Sequence, residues 1–242
     1  MADALFEDPL LATLYDLLDP DRSDLEVYAD LFEELGATSV LDVGCGTGCL
    51  ATLLSSRGVS VVAVDPAAAS LTVAQAKPGA PLVRWIHGCA QDLPPLQVDL
   101  ATMTGNVAQV FVDDVEWLAT LRSIHSALRP LGHLVFESRV PEDRSWLRWN
   151  RTDALAVAVV PGVGIVESWP DVTEVSSATV TFTTTFQFYR DGSTMTSEST
   201  LRFRTIAEMT STLGEAGFEL VDVRDAPDRP GRENVFIAVR RR

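Results

Sequence analysis

The residues from Asp42 to Gly48 carry the clearest chemical signal in this sequence. They read Asp-Val-Gly-Cys-Gly-Thr-Gly and follow a short apolar run typical of a buried strand. The glycines at positions 44, 46 and 48 leave out side chains that would keep a ligand from the backbone. Helical spacing resumes after Thr47, so the free N–H groups of a helix end point into the loop and favour carboxylate or phosphate.

The spacing of the glycines separates this loop from a dinucleotide-binding loop. The dinucleotide pattern G-x-G-x-x-G needs a third glycine at position 49, which is Cys49. Asp42, two residues before the first glycine, would repel a pyrophosphate and suits a cationic amine. The stretch resembles the first motif of the class I S-adenosylmethionine-dependent methyltransferases, whose pattern acid-x-Gly-x-Gly-x-Gly it matches in full. A packing turn without a ligand is the alternative.

The resemblance implies S-adenosylmethionine as the cofactor and points to further residues of its site. Asp65 ends the second apolar run, about twenty residues after the first glycine, where an acid can accept hydrogen bonds from both ribose hydroxyls; a solvated turn acid is the alternative. By the same resemblance Asp92 meets the adenine amino group, unless it only caps a turn. The predicted cofactor-binding residues are Asp42, Gly44, Cys45, Gly46, Thr47, Gly48, Asp65, Pro66, Gln91, Asp92, Thr104 and Gly105.

A second group of residues is predicted at the acceptor end of the same pocket. Ligands of an open α/β sheet bind at the carboxyl ends of its strands, so the residues after the fourth and fifth strands should line that end. In similar methyltransferases an N-terminal Tyr-Asp pair folds over the cofactor, which points to Tyr15; a half-buried core tyrosine is the alternative. The candidate substrate contacts are Tyr15, Asn106, Glu137, Arg139, Trp146 and Trp149, with buried packing as the alternative for both tryptophans.

No residue is assigned as a catalytic base or as a metal ligand. No Ser-His-acid or Cys-His arrangement is indicated, and the three cysteines show no metal spacing with histidine. A sulfonium is already activated, so in-line positioning at short range supplies much of the rate. Residues 103–106 also lack the Asn/Asp-Pro-Pro-Tyr/Phe signature of enzymes that methylate amide or adenine nitrogens, which argues against nucleic acid as substrate.

The elements that must position these residues alternate between strand and helix. Strands are predicted at 40–43, 59–64, 82–86, 98–102 and 133–138, and helices at 10–18, 25–35, 67–77, 114–128 and 206–216. Ser23 or Asp24 is the expected cap of the second helix, and Arg129–Gly132 is expected to end the helix 114–128 before the fifth strand. Alternation means right-handed crossovers and a parallel sheet. With two last strands at 218–223 and 234–239, the resemblance implies an α/β, doubly wound, mostly parallel seven-stranded Rossmann-like sheet.

The pattern changes after the fifth strand. Between 151 and 204 helical spacing gives way to Val, Thr and Phe with turn signals, and a hairpin is predicted about Asp191-Gly192. We expect residues 1–140 and 205–242 to form the cofactor-binding methyltransferase domain. Residues 141–204 should form an antiparallel β insertion that covers the substrate side and governs the acceptor, not the cofactor. The alternative is that this sheet is a homodimer interface.

The composition of the whole chain limits its partners. The 242 residues include 34 acidic and 19 basic side chains, which gives a formal net charge of -15. The electrostatic field of this negative charge repels phosphate backbones and anionic lipid, so neither nucleic acid nor a membrane is an expected partner. No signal peptide and no apolar run long enough to span a bilayer is found, and the cysteine usage fits a reducing cytoplasm.

The resemblance thus implies an enzyme that transfers a methyl group from S-adenosylmethionine to a small-molecule acceptor by in-line displacement. Two other functions stay open. One is a cofactor-binding regulatory or assembly protein without transferase activity. The other is a nicotinamide oxidoreductase, which the position of the third glycine and Asp42 oppose. The acceptor atom is not determined, because oxygen, nitrogen, sulfur and carbon acceptors all occur on this fold.

Overall fold

Helices and strands alternate through the first half of the chain, as the apolar periodicity predicts. The computed structural model describes residues 2–241. Its α-helices are α1 (Ala4–Glu7), α2 (Pro9–Leu18), α3 (Asp24–Glu34), α4 (Cys49–Ser56), α5 (Ala68–Gln75), α6 (Asp114–Ala127) and α7 (Ile206–Glu215). The sequence does not predict α1, whose single turn is too short to show a periodic pattern. Of the helices between residues 2 and 241, none combines the length and apolarity needed to cross a bilayer.

The strands form two separate sheets. They are β1 (Ser39–Val43), β2 (Ser60–Asp65), β3 (Val83–His87), β4 (Val98–Met103), β5 (Leu128–Arg139), β6 (Ala156–Val160), β7 (Gly164–Val175), β8 (Thr179–Phe188), β9 (Thr194–Arg202), β10 (Phe218–Asp225) and β11 (Glu233–Arg240). The main sheet has the order β10-β11-β5-β4-β1-β2-β3. β1 to β5 run parallel, and β11 lies antiparallel between β5 and β10. The predicted doubly wound, mostly parallel seven-stranded fold is confirmed, and its strand order reverses between β1 and β4, where a crevice opens.

Apolar side chains bury both faces of the main sheet. Val40 of β1 packs on one face with Phe32 and Leu54, whereas Leu41 packs on the other face with Trp117 of α6. None of these five side chains is more than 1% exposed. Burial of each such side chain stabilises the fold by about 1.5–3 kcal/mol, so the strand ends that carry the polar residues are held on a rigid support.

β5 begins five residues before the predicted fifth strand. Leu128 pairs with Val98 and His133 pairs with Leu100, so the ladder skips the four residues between Leu128 and His133. These residues bulge out of the strand, and Leu131 among them has a positive φ of 65°. The predicted end of the helix at this Pro-Gly stretch is confirmed, since α6 ends at Ala127, whereas the predicted start of the strand is late, because the stretch is a bulge within β5.

The second sheet is the predicted antiparallel insertion, with the order β6-β7-β8-β9. The predicted hairpin is confirmed, since β8 and β9 pair about a turn in which Gly192 has a φ of 73°. One face of the sheet packs Val166 and Phe186 against Leu11 and Leu14 of α2. The insertion therefore supports the N-terminal helices, while its domain boundaries stay a prediction.

The N-terminal helices differ in how they begin. Asp8 accepts hydrogen bonds from the amides of Leu10 and Leu11 at 2.8 and 3.1 Å and so starts α2. Ser23 precedes α3, as predicted, but its side chain makes no capping hydrogen bond, and Asp24 is already the first helical residue. The predicted position of this helix start is right and the predicted side-chain cap is wrong.

Candidate active site

The three glycines of the loop between β1 and α4 serve different purposes. All three have positive φ, from 52° at Gly46 to 76° at Gly48. A Cβ on Gly44 would lie 2.7 Å from Val107, and a Cβ on Gly48 would lie 2.5 Å from Trp85. A Cβ on Gly46 would meet no described atom within 4 Å. Close packing thus requires glycine at the first and third positions, and Gly46 is the one that presents an open backbone to a ligand.

The loop opens into a cavity of about 640 Å³ at the carboxyl ends of the parallel strands. The predicted residues in its wall are Tyr15, Asp42, Gly44, Cys45, Gly46, Thr47, Asp65, Pro66, Gln91, Asp92, Thr104 and Gly105. Other predicted residues lie outside the wall: Gly48, Asn106, Glu137, Arg139, Trp146 and Trp149. The structure therefore brings most of the predicted cofactor set together and separates it from most of the candidate acceptor contacts.

Asp42 is a buried carboxylate without a partner. It is 1% exposed, and no residue between 2 and 241 donates a hydrogen bond to it. Burial, together with the charge of Asp65 at the end of the neighbouring strand, raises the pKa of Asp42 to about 7. Because an unpaired buried charge is costly, this position favours either a proton or a bound cation.

Asp65 has hydrogen-bond partners on both carboxylate oxygens. One oxygen accepts from the amide of Gly46 at 2.7 Å, and the other accepts from the amide of Ala67 at 2.8 Å. Burial raises the pKa of Asp65, and these hydrogen bonds oppose the rise. Each carboxylate oxygen can accept a second hydrogen bond, so the contact with ribose hydroxyls stays a prediction. In the structure Asp65 also fixes the position of Gly46.

Gln91 and Asp92 follow β3 on a short turn at the edge of the cavity. The Asp92 carboxylate accepts from the amide of Cys89 at 2.8 Å, which is the capping role that the sequence left open. The Gln91 side chain donates to the hydroxyl of Thr120 on α6 at 3.2 Å. Both residues line the cavity, and their contact with adenine stays a prediction.

The helix α2 is tied to the glycine loop through Asp16. This carboxylate accepts from the hydroxyl of Thr47 at 2.6 Å and from the ammonium of Lys77 at 2.5 Å, and the thiol of Cys49 lies 3.3 Å away. Burial opposes ionisation of Asp16, but the hydrogen bonds from Lys77 and Thr47 outweigh it and lower the pKa of Asp16 below its ordinary value. The tie holds the adjacent Tyr15 in the cavity wall.

Several residues of the site are absent from the predicted set, among them the charged residues Asp16, Arg22 and Lys77. Arg22 brings a basic side chain to a wall whose acidic side chains are Asp3, Asp42, Asp65, Asp92 and Glu116. The Tyr-Asp pair at 15 and 16 is the one local signal that could have indicated Asp16. Arg22 lies in a segment without a recognisable pattern and Lys77 at the end of a predicted helix, and both reach the site only through the tertiary fold.

The candidate acceptor contacts at the ends of β4 and β5 form a buried polar cluster behind the cavity wall. Glu137 accepts from the amide of Asn106 at 3.0 Å, and the Asn106 side chain donates to Glu233 at 3.1 Å. Arg139 donates to Gln109 at 3.1 Å and lies 3.6 Å from Glu233. Glu137 also accepts from the amide of Gly105 in the cavity wall at 2.6 Å, but none of the three side chains itself lines the cavity, so direct substrate contact stays a prediction for all three candidates.

The two candidate tryptophans pack beneath the insertion. The ring of Trp146 lies 4.6 Å from that of Phe203, and the ring of Trp149 lies 4.8 Å from that of Phe182. The guanidinium of Arg139 sits 5.4 Å from the centre of a Trp149 ring. Both tryptophans are partly buried by this packing, and their contact with substrate stays a prediction.

The last strand of the insertion supports the cavity from outside. Thr200 is part of the wall. Arg204, which is 2% exposed, donates to the carbonyl of Phe111 at 2.8 Å, and Arg202 donates to the carbonyl of Val112 at 3.0 Å. Phe111 itself lines the cavity, so the end of the insertion positions part of the wall between β4 and α6.

Comparisons with known sequences agree with this geometry. Residues 40–132 match the family model described as a methyltransferase domain. The cypemycin N-terminal methyltransferase of a Streptomyces species is 30% identical over 147 residues, which are 59% of this chain and 60% of that protein. The chain spans 60%, 48% and 42% of the lengths of the first three curated relatives that it matches.

Solved structures share the fold over nearly the whole chain. The sugar N-methyltransferase KedS8 from a Streptoalloteichus species has a TM-score of 0.76 at 21% identity, and the match covers 94% of this chain and 93% of that one. CalS10 from Micromonospora echinaspora, an amino pentose methyltransferase with bound S-adenosylmethionine, has a TM-score of 0.72 at 20% identity, with 96% of both chains covered. At these identities the likeness shows the fold.

Proposed function

We propose that this chain, which carries a class I S-adenosylmethionine-dependent methyltransferase domain, binds S-adenosylmethionine in the cavity and transfers its methyl group to a small-molecule acceptor. The observation that carries the proposal is the pairing of an open backbone at Gly46 with the partnerless carboxylate of Asp42 beneath the same loop. A ligand with an ammonium group and a flat, polar remainder satisfies both features.

The cavity wall offers a partner to each polar part of that cofactor. Arg22 would pair with the carboxylate of its methionine portion, and Asp42 with its ammonium. Asp65 would accept hydrogen bonds from the ribose hydroxyls, and Asp92 would meet the adenine. Gly46 leaves room for the ligand between these groups. The residues present therefore fit the cofactor by charge and by hydrogen-bonding capacity.

The contribution of the protein to the reaction is mainly positioning. When bound, S-adenosylmethionine supplies a methyl group on a positively charged sulfur, which a nucleophile can attack in line. The tie from Asp16 to Thr47 and Lys77 holds Tyr15 over the glycine loop, which restricts the ligand and excludes water from that side. No side chain in the wall has to form a covalent bond for this reaction.

We further propose that the acceptor atom is an amine nitrogen. Two similar proteins are described as an N-terminal methyltransferase and as a sugar N-methyltransferase. The wall also holds two carboxylates that the cofactor does not need, those of Asp3 and Glu116, together with the charge of Asp42. An acidic wall attracts an amine in its protonated form and repels a phosphorylated acceptor. The amine would lose this proton to solvent or to a wall carboxylate before its nitrogen attacks the methyl group.

Calorimetry and a transfer assay test the proposal in two steps. S-Adenosylhomocysteine should bind one site per chain, and radiolabelled S-adenosylmethionine should then label members of a panel of amines, in preference to matched alcohols and thiols. Binding without transfer to any panel member would favour the regulatory or assembly protein. If calorimetry detects binding of a nicotinamide dinucleotide but not of S-adenosylhomocysteine, the result favours the oxidoreductase.

We propose a small molecule as the partner of the site and a cytoplasmic location for the chain. The net charge of -15 opposes binding to nucleic acid, and the three cysteines are free thiols. A homodimer through the insertion sheet remains the second proposal for that sheet, because β6 leaves one edge of it open to pairing. Sedimentation of the intact chain distinguishes a monomer from this dimer.

A further inference from the structure

The turn after β4 has an unusual backbone and touches both the cavity and the glycine loop. Gly105 and the residue after it, Asn106, both have positive φ, at 71° and 60°. Thr104 and Gly105 line the cavity, and Val107 packs so closely on the glycine loop that no side chain fits at Gly44. Asn106 is not a glycine, so its left-handed conformation requires support from its surroundings.

That support comes from one oxygen atom of Glu137. Its Oε1 accepts from the amide of Gly105 at 2.6 Å and from the amide of Asn106 at 3.0 Å. Two consecutive amides directed at one acceptor form a concave anion site, and an ionised carboxylate makes both hydrogen bonds stronger than a neutral one does. Glu137 lies on the rigid strand β5 and is 7% exposed, so the turn is fastened to the core of the sheet.

The charged groups around Glu137 leave it without a basic partner of its own. Glu233 on β11 is 3% exposed and faces it; Arg229 lies 2.8 Å and Arg139 lies 3.6 Å from the Glu233 carboxylate. The amide of the Asn106 side chain also donates to Glu233, at 3.1 Å. Burial and the charge of Glu233 raise the pKa of Glu137 to about 7, against the two backbone amides and Arg139.

We propose that Glu137 is a positioning residue: its ionised carboxylate holds the Gly105–Asn106 turn against the glycine loop, and protonation of that carboxylate loosens the turn. The cavity would then be fully formed only when Glu137 is ionised. The effect on the bound ligand rests on the proposed function, whereas the effect on the turn does not depend on any ligand.

Nuclear magnetic resonance of the 15N-labelled, ligand-free protein tests the turn directly. The amide protons of Gly105 and Asn106 should move upfield together as the pH falls through about 7, because the charge-assisted hydrogen bonds weaken. The substitution Glu137→Gln keeps an acceptor of the same shape but no titrating group, and it should abolish this movement. The substitution Glu142→Gln removes an exposed charge five residues further along the chain and should leave the movement intact. Amides that do not titrate in the wild type, or that titrate equally in Glu137→Gln, would overturn the proposal.

Calorimetry with S-adenosylhomocysteine tests the consequence for the cavity. The dissociation constant of Glu137→Gln divided by that of the wild type should be roughly ten at pH 8 and close to one at pH 5.5, where the wild-type glutamate is also neutral. Other groups that titrate in the site cancel in this ratio. A ratio that is the same at both pH values would show a merely structural role and contradict the proposal. Absence of binding to the wild type at either pH would instead contradict the proposed function, and the resonances of the turn would still decide the role of Glu137.

Discussion

We expect Asp42 to couple the protonation of the site to the binding of its ligand. Its pKa of about 7 in the free protein means that a proton often occupies the position that the ammonium of the cofactor would neutralise. We expect the dissociation constant of S-adenosylhomocysteine to rise about tenfold between pH 8 and pH 6, because one proton must then leave before the ligand binds. Titration calorimetry at the two pH values measures this. Asp42→Asn should bind more weakly at pH 8 and lose most of the pH dependence; a wild-type affinity that does not change would rule out this role.

The same shift has the opposite effect on the stability of the ligand-free protein. The folded pKa of Asp42 lies above its ordinary value of 3.8, so the folded state holds this proton more tightly than the unfolded state. The free energy of unfolding therefore falls as the pH rises from about 4 to about 7, and stays lower above that range. Asp42→Asn should accordingly raise the melting temperature at pH 8. If this one substitution both raises the melting temperature and lowers the affinity for S-adenosylhomocysteine, Asp42 is identified as a binding residue.

The glycines of the loop should respond differently to the same substitution. Gly48→Ala places a Cβ 2.5 Å from Trp85 at a φ of 76°, and we expect it to lower the free energy of unfolding by about 2–4 kcal/mol. The Cβ of Gly46→Ala meets no neighbouring atom, so its positive φ should lower the free energy of unfolding by only about 1–2 kcal/mol. Its main effect should be weaker binding of S-adenosylhomocysteine. Urea denaturation and calorimetry measure the two effects. Equal losses of stability in both variants would mean that the loop has no open face.

The residues that could be predicted from the sequence are those whose chemistry is set by near neighbours. Asp42 and Gly46 lie in one continuous motif, and Asp65 ends the next apolar run, so their spacing together with the family resemblance indicated them. Arg22 reaches the cavity and Asp16 reaches Lys77 only through the fold, and no pattern of adjacent residues records such contacts. The packing role of Gly48 depends on the ring of Trp85 from another strand and could likewise not be predicted from the sequence.

At the scale of the elements, the insertion reaches the cavity through α2. The sheet packs Phe186 against Leu11 and Leu14 of this helix, and α2 in turn carries Tyr15 and Asp16 to the glycine loop. The sequence-based expectation that the insertion governs only the acceptor does not take account of this contact. Support for α2 should also affect how tightly the cavity holds its cofactor.

The substitution Phe186→Ala tests this connection. It removes a fully buried ring and should lower the free energy of unfolding by about 3–5 kcal/mol. We also expect the affinity for S-adenosylhomocysteine to fall several-fold, because α2 loses part of its support. Thr183→Ala, on the opposite face of β8, should change neither quantity much and serves as the control. Loss of stability with unchanged affinity would restrict the insertion to the acceptor side.

The elements themselves were largely predictable because their apolar periods are regular. The parallel strands, the helices between them and the hairpin of the insertion all follow local patterns of spacing and turn residues. The bulge in β5 was not predictable from the sequence. A Pro-Gly stretch indicates the end of a helix in the same way whether it forms a loop before the strand or a bulge within the strand. The docking of the insertion on α2 depends on two apolar faces that are far apart in sequence.

At the scale of the whole molecule, the acidity of the surface continues into the cavity. The chain has a formal net charge of -15, and its cavity wall has one basic side chain, that of Arg22, beside five acidic ones. A field of one sign over both surface and cavity steers cations toward the site and slows the approach of anions. This agrees with the proposal of an amine acceptor and with the position of Asp42.

The place of β11 in the sheet has a consequence for synthesis of the protein. This strand follows every other strand of the sheet in the sequence, yet it lies between β5 and β10 and stacks Phe236 on Phe136 with ring centres 4.9 Å apart. Until it emerges, β5 offers a bare edge of hydrogen-bonding groups and an uncovered aromatic ring to other nascent chains. The sheet can therefore close only after Glu233–Arg240 has been synthesised, and we expect a chain that stops short of Glu233 to expose this edge and to aggregate.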